Sequence, residues 1–200
     1  EQQVAKPLRR GHLGADPIRA LAVYGALAEP LQQAQRHAIR LATAVSDCPG
    51  VTALGCDGTA YHSAGASDAE ELAAIIASAV EFLRAGEAEG VAPATVFKSI
   101  AVTLHADADV FFTIAKLRAA RRLMARVAEA ISAGTPSTHI TAVTAWRMMA
   151  RRDPWSNMLR TTIATAGAAL GGADAIVVLP FTYALGRPDA FARRMARNTQ

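Results

Sequence analysis

Four stretches of this chain bring together residue types that could do chemistry. The first runs from Cys56 to Gly65 and carries Asp57, Tyr61 and His62. A histidine in a loop that follows a strand can serve as a general acid. The same residues also read as a polar loop leading into the next helix. The second is His105, Asp107 and Asp109. In extended chain a period of two sets all three on one face, where an imidazole and two carboxylates could hold a divalent metal. The competing reading is a helix start with Asp107 or Asp109 as N-cap, and on that reading no metal ligand is assigned. The third is Arg118, Arg121, Arg122 and Arg126, whose spacing places them along one helix face. They could grip a phosphate, or form an outer solvated face. The fourth is the run WRMMARRDPW over Trp146–Trp155, with Arg147, Arg151 and Arg152 ahead of an Asp153–Pro154 helix start. It reads as an anion-contacting loop or as a plain strand-to-helix connection.

The elements that must position these residues alternate between strand and helix. Gly11 to Asp16 reads as a glycine-punctuated turn, and Pro17 opens a short helical stretch to Gly25. Apolar residues at helical spacing mark a helix from Leu31 to Val45. Val51 to Cys56 is a short apolar strand. A helix follows from Asp68 to Ala85, capped by Ser67 or Asp68 and carrying Glu70 and Glu71 in its first turn. Val96 to Leu104 is rich in β-formers. Asp109 to Ala133 gives the longest helix, Ser137 to Ala145 a strand, Trp155 to Leu170 a helix and Ala175 to Leu179 an aliphatic strand. Such runs suit strands covered on both faces. About four or five βα units result, the signature of a parallel sheet with crossover helices. The α/β fold expected is a (β/α)8 TIM-type barrel present in part, about strands four to eight, because a whole barrel takes ~250 residues.

Composition sets further bounds. Two hundred residues, 52% hydrophobic but only 6% aromatic, make a single partial domain over 1–200 whose core is alanine and branched aliphatics. The net charge is +4 and the pI about 9.5. The arginines lack interleaved aromatics, which argues against nucleic-acid binding. Cys48 and Cys56 lack CxxC spacing and read as free thiols in a reducing cytoplasm. No charge-free apolar stretch of about 18 residues predicts a membrane span. Glu1 to Arg10 lacks the apolar core of a signal peptide. The missing initiator Met and the ending at Gln200 read as a fragment.

Several blocks, in order, resemble one family. Phe111–Leu123 is similar to an aromatic–IAK–(M/L)RA–RRLW signature. The segments DPW-x-N, Gly171–Asp174, Leu185–Asp189 and Ala196–Gln200 are similar to that family's DP(Y/W)-x-N, GG(A/T), ALG-x-P and ARNTQ series. The chain resembles the substrate barrel of coenzyme B12-dependent methylmalonyl-CoA mutases over essentially all its length.

The resemblance also implies losses. Catalytic members carry SGYH where this chain has Asp57–Ala60, so Thr59 stands for the tyrosine and Ala60 for the catalytic histidine. Tyr61 and His62 are then displaced by two residues, which leaves His62 a weak substrate-binding candidate, as is Arg147. Catalytic members carry AHCQTSGW before the DP motif. Anchored on Trp146, Ile140 replaces the histidine and Ala142 the glutamine. A substrate-contacting arginine is replaced by Ser99, and Thr182 stands where an acidic residue is common. The resemblance therefore implies no catalytic, cofactor or metal residue here. It implies a small (beta) subunit, paired in a heterodimer with a homologous catalytic subunit in propionate metabolism. That assembly would use adenosylcobalamin to interconvert (R)-methylmalonyl-CoA and succinyl-CoA, with no cobalamin-binding domain in this chain. Two alternatives stand beside it: a divergent acyl-CoA mutase using Tyr61 and His62, and a metal-dependent barrel lyase using His105, Asp107 and Asp109.

Overall fold

Strands separated by helices long enough to cross back must pair in parallel, and they do. The computed structural model of the protein describes residues 10–134 and 137–200. Residues 1–9, where no signal peptide is expected, lie outside the described residues. The order is β1 (Gly11–Ala15), α1 (Pro17–Tyr24), α2 (Leu31–Ala44), β2 (Val51–Asp57), α3 (Thr59–Ser63) and α4 (Asp68–Ala88). Then come α5 (Pro93–Lys98), β3 (Ile100–Ala106), α6 (Val110–Ala130), β4 (His139–Thr144), α7 (Ser156–Gly171), β5 (Ala175–Val177) and α8 (Ala190–Thr199). The five strands lie in the order β1-β2-β3-β4-β5, all parallel, and curl into half a barrel. The partial (β/α)-barrel expectation holds.

The helices α2, α4, α6 and α7 cover the outer face of the sheet. Between the two layers lies the core, with Leu54, Ile75, Phe82, Leu104, Leu117 and Ile140 fully buried among small residues such as Ala42, Ala79, Ala120 and Ala168. Small residues let the helices approach closely. A β-carbon on Gly171 of α7 would stand 2.8 Å from Leu117 Cδ1 of α6. The expected alanine-rich packing is present.

Local signals act as written. Ser67 caps α4 in a full capping box, its hydroxyl accepting from Glu70 N while Glu70 Oε2 accepts from Ser67 N at 2.8 Å. Three expectations are corrected. Gly11 to Asp16 is mostly strand: β1 pairs with β2 because its backbone finds a parallel partner, although its sequence is glycine-broken. Val96 and Phe97 are helical, in α5, and the strand begins only at Ile100. Pro93 at the first helical positions starts that turn. Helix α7 begins at Ser156, not at Asp153–Pro154, and Asp153 contributes its carbonyl, which accepts from Ser156 Oγ at 2.9 Å. Among the described residues no helix is long and apolar enough to cross a membrane. Cys48 and Cys56 are buried free thiols.

Candidate functional site

The C-terminal ends of the strands open into a cavity of about 800 Å3. Asp57 ends β2, Thr103 and His105 come from β3, Val143 from β4, and Leu179 follows β5. Thr59, Ala60 and Tyr61 of α3 form one wall, Arg19 of α1 another, and Trp146 and Tyr183 complete the lining. This is the end of a barrel where chemistry sits.

Thr59 and Ala60 line the cavity and, although the two-residue displacement read from the sequence would have set it aside, so does Tyr61. His62 does not. One position further round the short helix α3, it turns into the protein and is 4% exposed. Its ring stacks on His105, centroids 4.5 Å apart. Its Nδ1 lies 3.4 Å from Glu71 Oε2, too poorly directed for a hydrogen bond.

The carboxylate of Asp57 is fully engaged. Its Oδ1 accepts from Thr59 N at 2.8 Å and from the Thr59 hydroxyl at 2.6 Å, and its Oδ2 pairs with Arg19 Nε at 2.9 Å. Asp57 N donates to Asp16 Oδ2 at 3.1 Å, while Asp16 Oδ1 caps α1 at Arg19 N. Burial pushes the Asp16 carboxyl up to about 6. Burial also raises the Tyr61 phenol, with Asp16 and Asp57 adding to the effect. Burial, then the neighbouring His62, pushes His105 down to about 4. At neutral pH the cavity therefore faces a neutral imidazole, a protonated phenol and a saturated carboxylate.

Behind the wall lies a buried polar cluster. Glu71 is 0% exposed and Lys116 3%. Lys116 Nζ donates to Glu71 Oε2 at 2.7 Å and to Asp68 Oδ1 at 2.6 Å, and Glu71 Oε1 accepts from His105 N at 2.8 Å. Burial opposes the Glu71 charge, but His62 and Lys116 outweigh it and the carboxyl sits below its usual range. Sequence reading missed both charged residues. The available signal was their place on apolar stripes: Lys116 lies between Thr113, Leu117 and Ala120, and Glu71 is one turn from Ile75, all buried.

Of the remaining candidates, the metal-cluster and phosphate readings are not met, while the N-cap reading of Asp109 and the outer-face reading of the arginines are. His105 stands with Glu71 and His62, not with Asp107 and Asp109. Asp109 caps α6 at Phe112 N, and Asp107 Oδ1 accepts from Ala108 N. Arg121 donates to Thr138 O and Gly172 O and pairs with Asp174 at 3.0 Å. It latches the starts of β4 and β5, the end of the sheet away from the cavity, so it is not a phosphate ligand there. Arg118 donates to Leu170 O and Arg126 pairs with Glu129 along its own helix, while Arg122 is exposed. Arg147 donates to His62 O at 2.8 Å and Ala66 O at 3.0 Å, tying two mouth loops together, and Arg151 and Arg152 are exposed. Thr182 Oγ1 is buried without a hydrogen-bond partner among the described residues.

Two replaced positions fall outside the cavity. Ile140 and Ala142 are fully buried in the core under the helices, while Val143 next to them lines the cavity. On a strand one residue exchanges faces, so counting back from Trp146 through the turn sets the register one place off the inward side. Ser99 sits between α5 and β3 at the far end of the strand. Its Oγ accepts from Ala53 N at 3.1 Å and its carbonyl accepts from Ala53 N and Leu54 N, joining the start of β3 to β2.

Asn157, fully buried, staples the mouth. Its Oδ1 accepts from Ala150 N at 2.8 Å, and its Nδ2 donates to Ala150 O at 2.8 Å and Phe181 O at 2.9 Å. Beside it Trp155, 63% exposed, stacks on Phe181 at 5.1 Å. Trp146 stands apart on the cavity rim, 49% exposed.

A curled parallel sheet with outer helices and a cavity at its C-terminal rim defines part of a (β/α) barrel of the kind that carries enzyme sites. The methylmalonyl-CoA mutase family model matches residues 1–200, and the chain belongs to that family. It is 51% identical over 199 residues to a methylmalonyl-CoA mutase small subunit of Streptomyces virginiae, covering 98% of this chain and 32% of that protein. A probable methylmalonyl-CoA mutase small subunit of Mycobacterium bovis is 42% identical, over 94% of this chain and 31% of its own length. The methylmalonyl-CoA mutase small subunit of Propionibacterium freudenreichii subsp. shermanii is 40% identical, over 94% and 29%. The chain thus spans about a third of the curated relatives it matches.

Proposed function

We propose that this chain is a barrel segment of a methylmalonyl-CoA mutase small subunit, itself non-catalytic. It works in the cytoplasm as the structural partner of a homologous catalytic subunit that interconverts (R)-methylmalonyl-CoA and succinyl-CoA. The carrying observation is the cavity wall. Thr59 and Ala60 stand there where catalytic members of the resembled family carry tyrosine and histidine. A methyl group and a hydroxyl already bonded to Asp57 give a thioester or carboxylate little to hold, and positioning supplies much of the rate in such rearrangements. The 51% identity to a small subunit supports the same reading.

Adenosylcobalamin supplies the radical chemistry of the proposed assembly. The imidazole that lines this segment's cavity, His105, is 3% exposed and stacked against His62, and so offers little to a cofactor. That supports a cofactor held elsewhere in the assembly. The test is the purified full-length chain with adenosylcobalamin and methylmalonyl-CoA, with and without its partner. Succinyl-CoA is expected only with the partner, and its formation by the chain alone overturns the reading.

A further inference from the structure

We propose that His62, His105 and Glu71 form a binding site for one divalent transition-metal ion of the zinc class. Their ligand atoms all lie within 4.8 Å of one another, and none of the three residues is more than 4% exposed. Three of the four ring nitrogens lack a hydrogen bond. His62 Nδ1, His62 Nε2 and His105 Nδ1 are buried with no hydrogen bond among the described residues. Buried polar atoms left this way call for an ion or a water. Two imidazoles and a carboxylate are the donor set of zinc and its first-row neighbours.

Charge and access favour a cation. A pocket of about 240 Å3 opens beside His62, and Asp68, Asp107 and Asp109 stand around it. With Glu71 these make four carboxylates, facing the cations Lys116 and Arg147. A dication makes up the difference. Lys116 already bridges Asp68 and Glu71, so its ammonium stays on Asp68 when the ion takes Glu71. The rings are parallel to within 17°. Lone pairs lie in the ring planes, so binding one ion requires one of the two rings to rotate until both lone pairs meet. The site is enclosed by β2, α3, α4, β3 and α6 of this chain, and it depends on no part of the mutase reading.

The experiment takes the full-length chain, stripped with a chelator and dialysed against zinc chloride or a cobalt(II) salt. One zinc per chain is expected, with a rise in Tm, and the cobalt form should show the visible bands of a mixed nitrogen–oxygen site. His62→Gln should lower affinity roughly 100-fold or more, since even outer-shell partners cost 10- to 100-fold. Lys116→Met should melt below wild type without metal and gain more from zinc than wild type does. Background zinc with no cobalt bands in the wild-type chain overturns the site, and so does a His62→Gln chain that binds as wild type. If a variant fails to fold, the wild-type cobalt spectrum and zinc-dependent Tm decide.

Discussion

Gly58 and Glu71 touch so closely that a β-carbon at 58 would stand 2.7 Å from the Glu71 Cγ. The glycine has φ −77, so ordinary backbone is not the constraint; space is. Glu71 reaches across it to take the backbone N–H of His105 and the ammonium of Lys116. Gly58→Ala should therefore destabilise by about 1–3 kcal/mol, the usual cost of overpacking. Urea denaturation of the full-length chain checks this; a loss below a few tenths of a kcal/mol would show that the cluster yields easily.

Asn157→Ala should cost about 3 kcal/mol, because it strands Ala150 N, Ala150 O and Phe181 O inside the protein. Asn157→Asp keeps the acceptor but loses both donated bonds, and should lie at least as low. Proteolysis should then cut first in the loops after β4 and β5, which the amide no longer joins.

Asp16 gives a pH dependence with a definite sign. Its folded pKa of about 6 lies above the ordinary value of 3.8, so the folded state holds the proton more tightly. Stability from this group is greatest below pH 4, falls as pH rises to 6, and is flat above. Asp16→Asn should flatten that stretch of the stability–pH curve. A difference curve that instead rises between pH 4 and 6 would mean the two N–H bonds to Asp16 outweigh its burial.

Ala60→His combined with Ala142→Gln should not restore mutase turnover to the chain alone. The new histidine would enter the cavity, but the glutamine would enter the core under α6 and α7, where Ala142 is fully buried. An amide placed there without a partner costs about 1–3 kcal/mol. The double variant should melt lower than Ala60→His by itself, and equal melting would show that residue 142 faces the cavity after all.

Most of the sheet was legible because β2, β4 and β5 carry apolar residues between clear helix signals, and α4 announces itself through Ser67 and Glu70. β1 was not, since Gly11 and Gly14 hide a strand whose only claim is its pairing with β2. Val96 and Phe97 misled because a buried helical turn and a buried strand look alike over a few apolar residues. In the site, Thr59 and Ala60 were singled out only by the family resemblance, while the loop after β2 by itself pointed to Asp57, Tyr61 and His62. The positions of Ile140 and Ala142 did not follow, because motif counting carries no information about strand faces. Glu71 reads from sequence only as a first-turn acidic residue of α4 and Lys116 only as part of a motif, because a charge on an apolar stripe shows its burial only once the stripe is packed.

The two tryptophans sit in separate neighbourhoods, one on the cavity rim and one on an aromatic stack. Their emission is therefore a two-channel reporter built into the chain. Changing Trp146 alone leaves a signal from the stack with Phe181, which follows the coming together of the α7 start and the loop after β5. Changing Trp155 alone leaves a signal that follows what enters the cavity. The assembly of the mouth and its occupancy can thus be timed apart in one stopped-flow experiment, without an added dye.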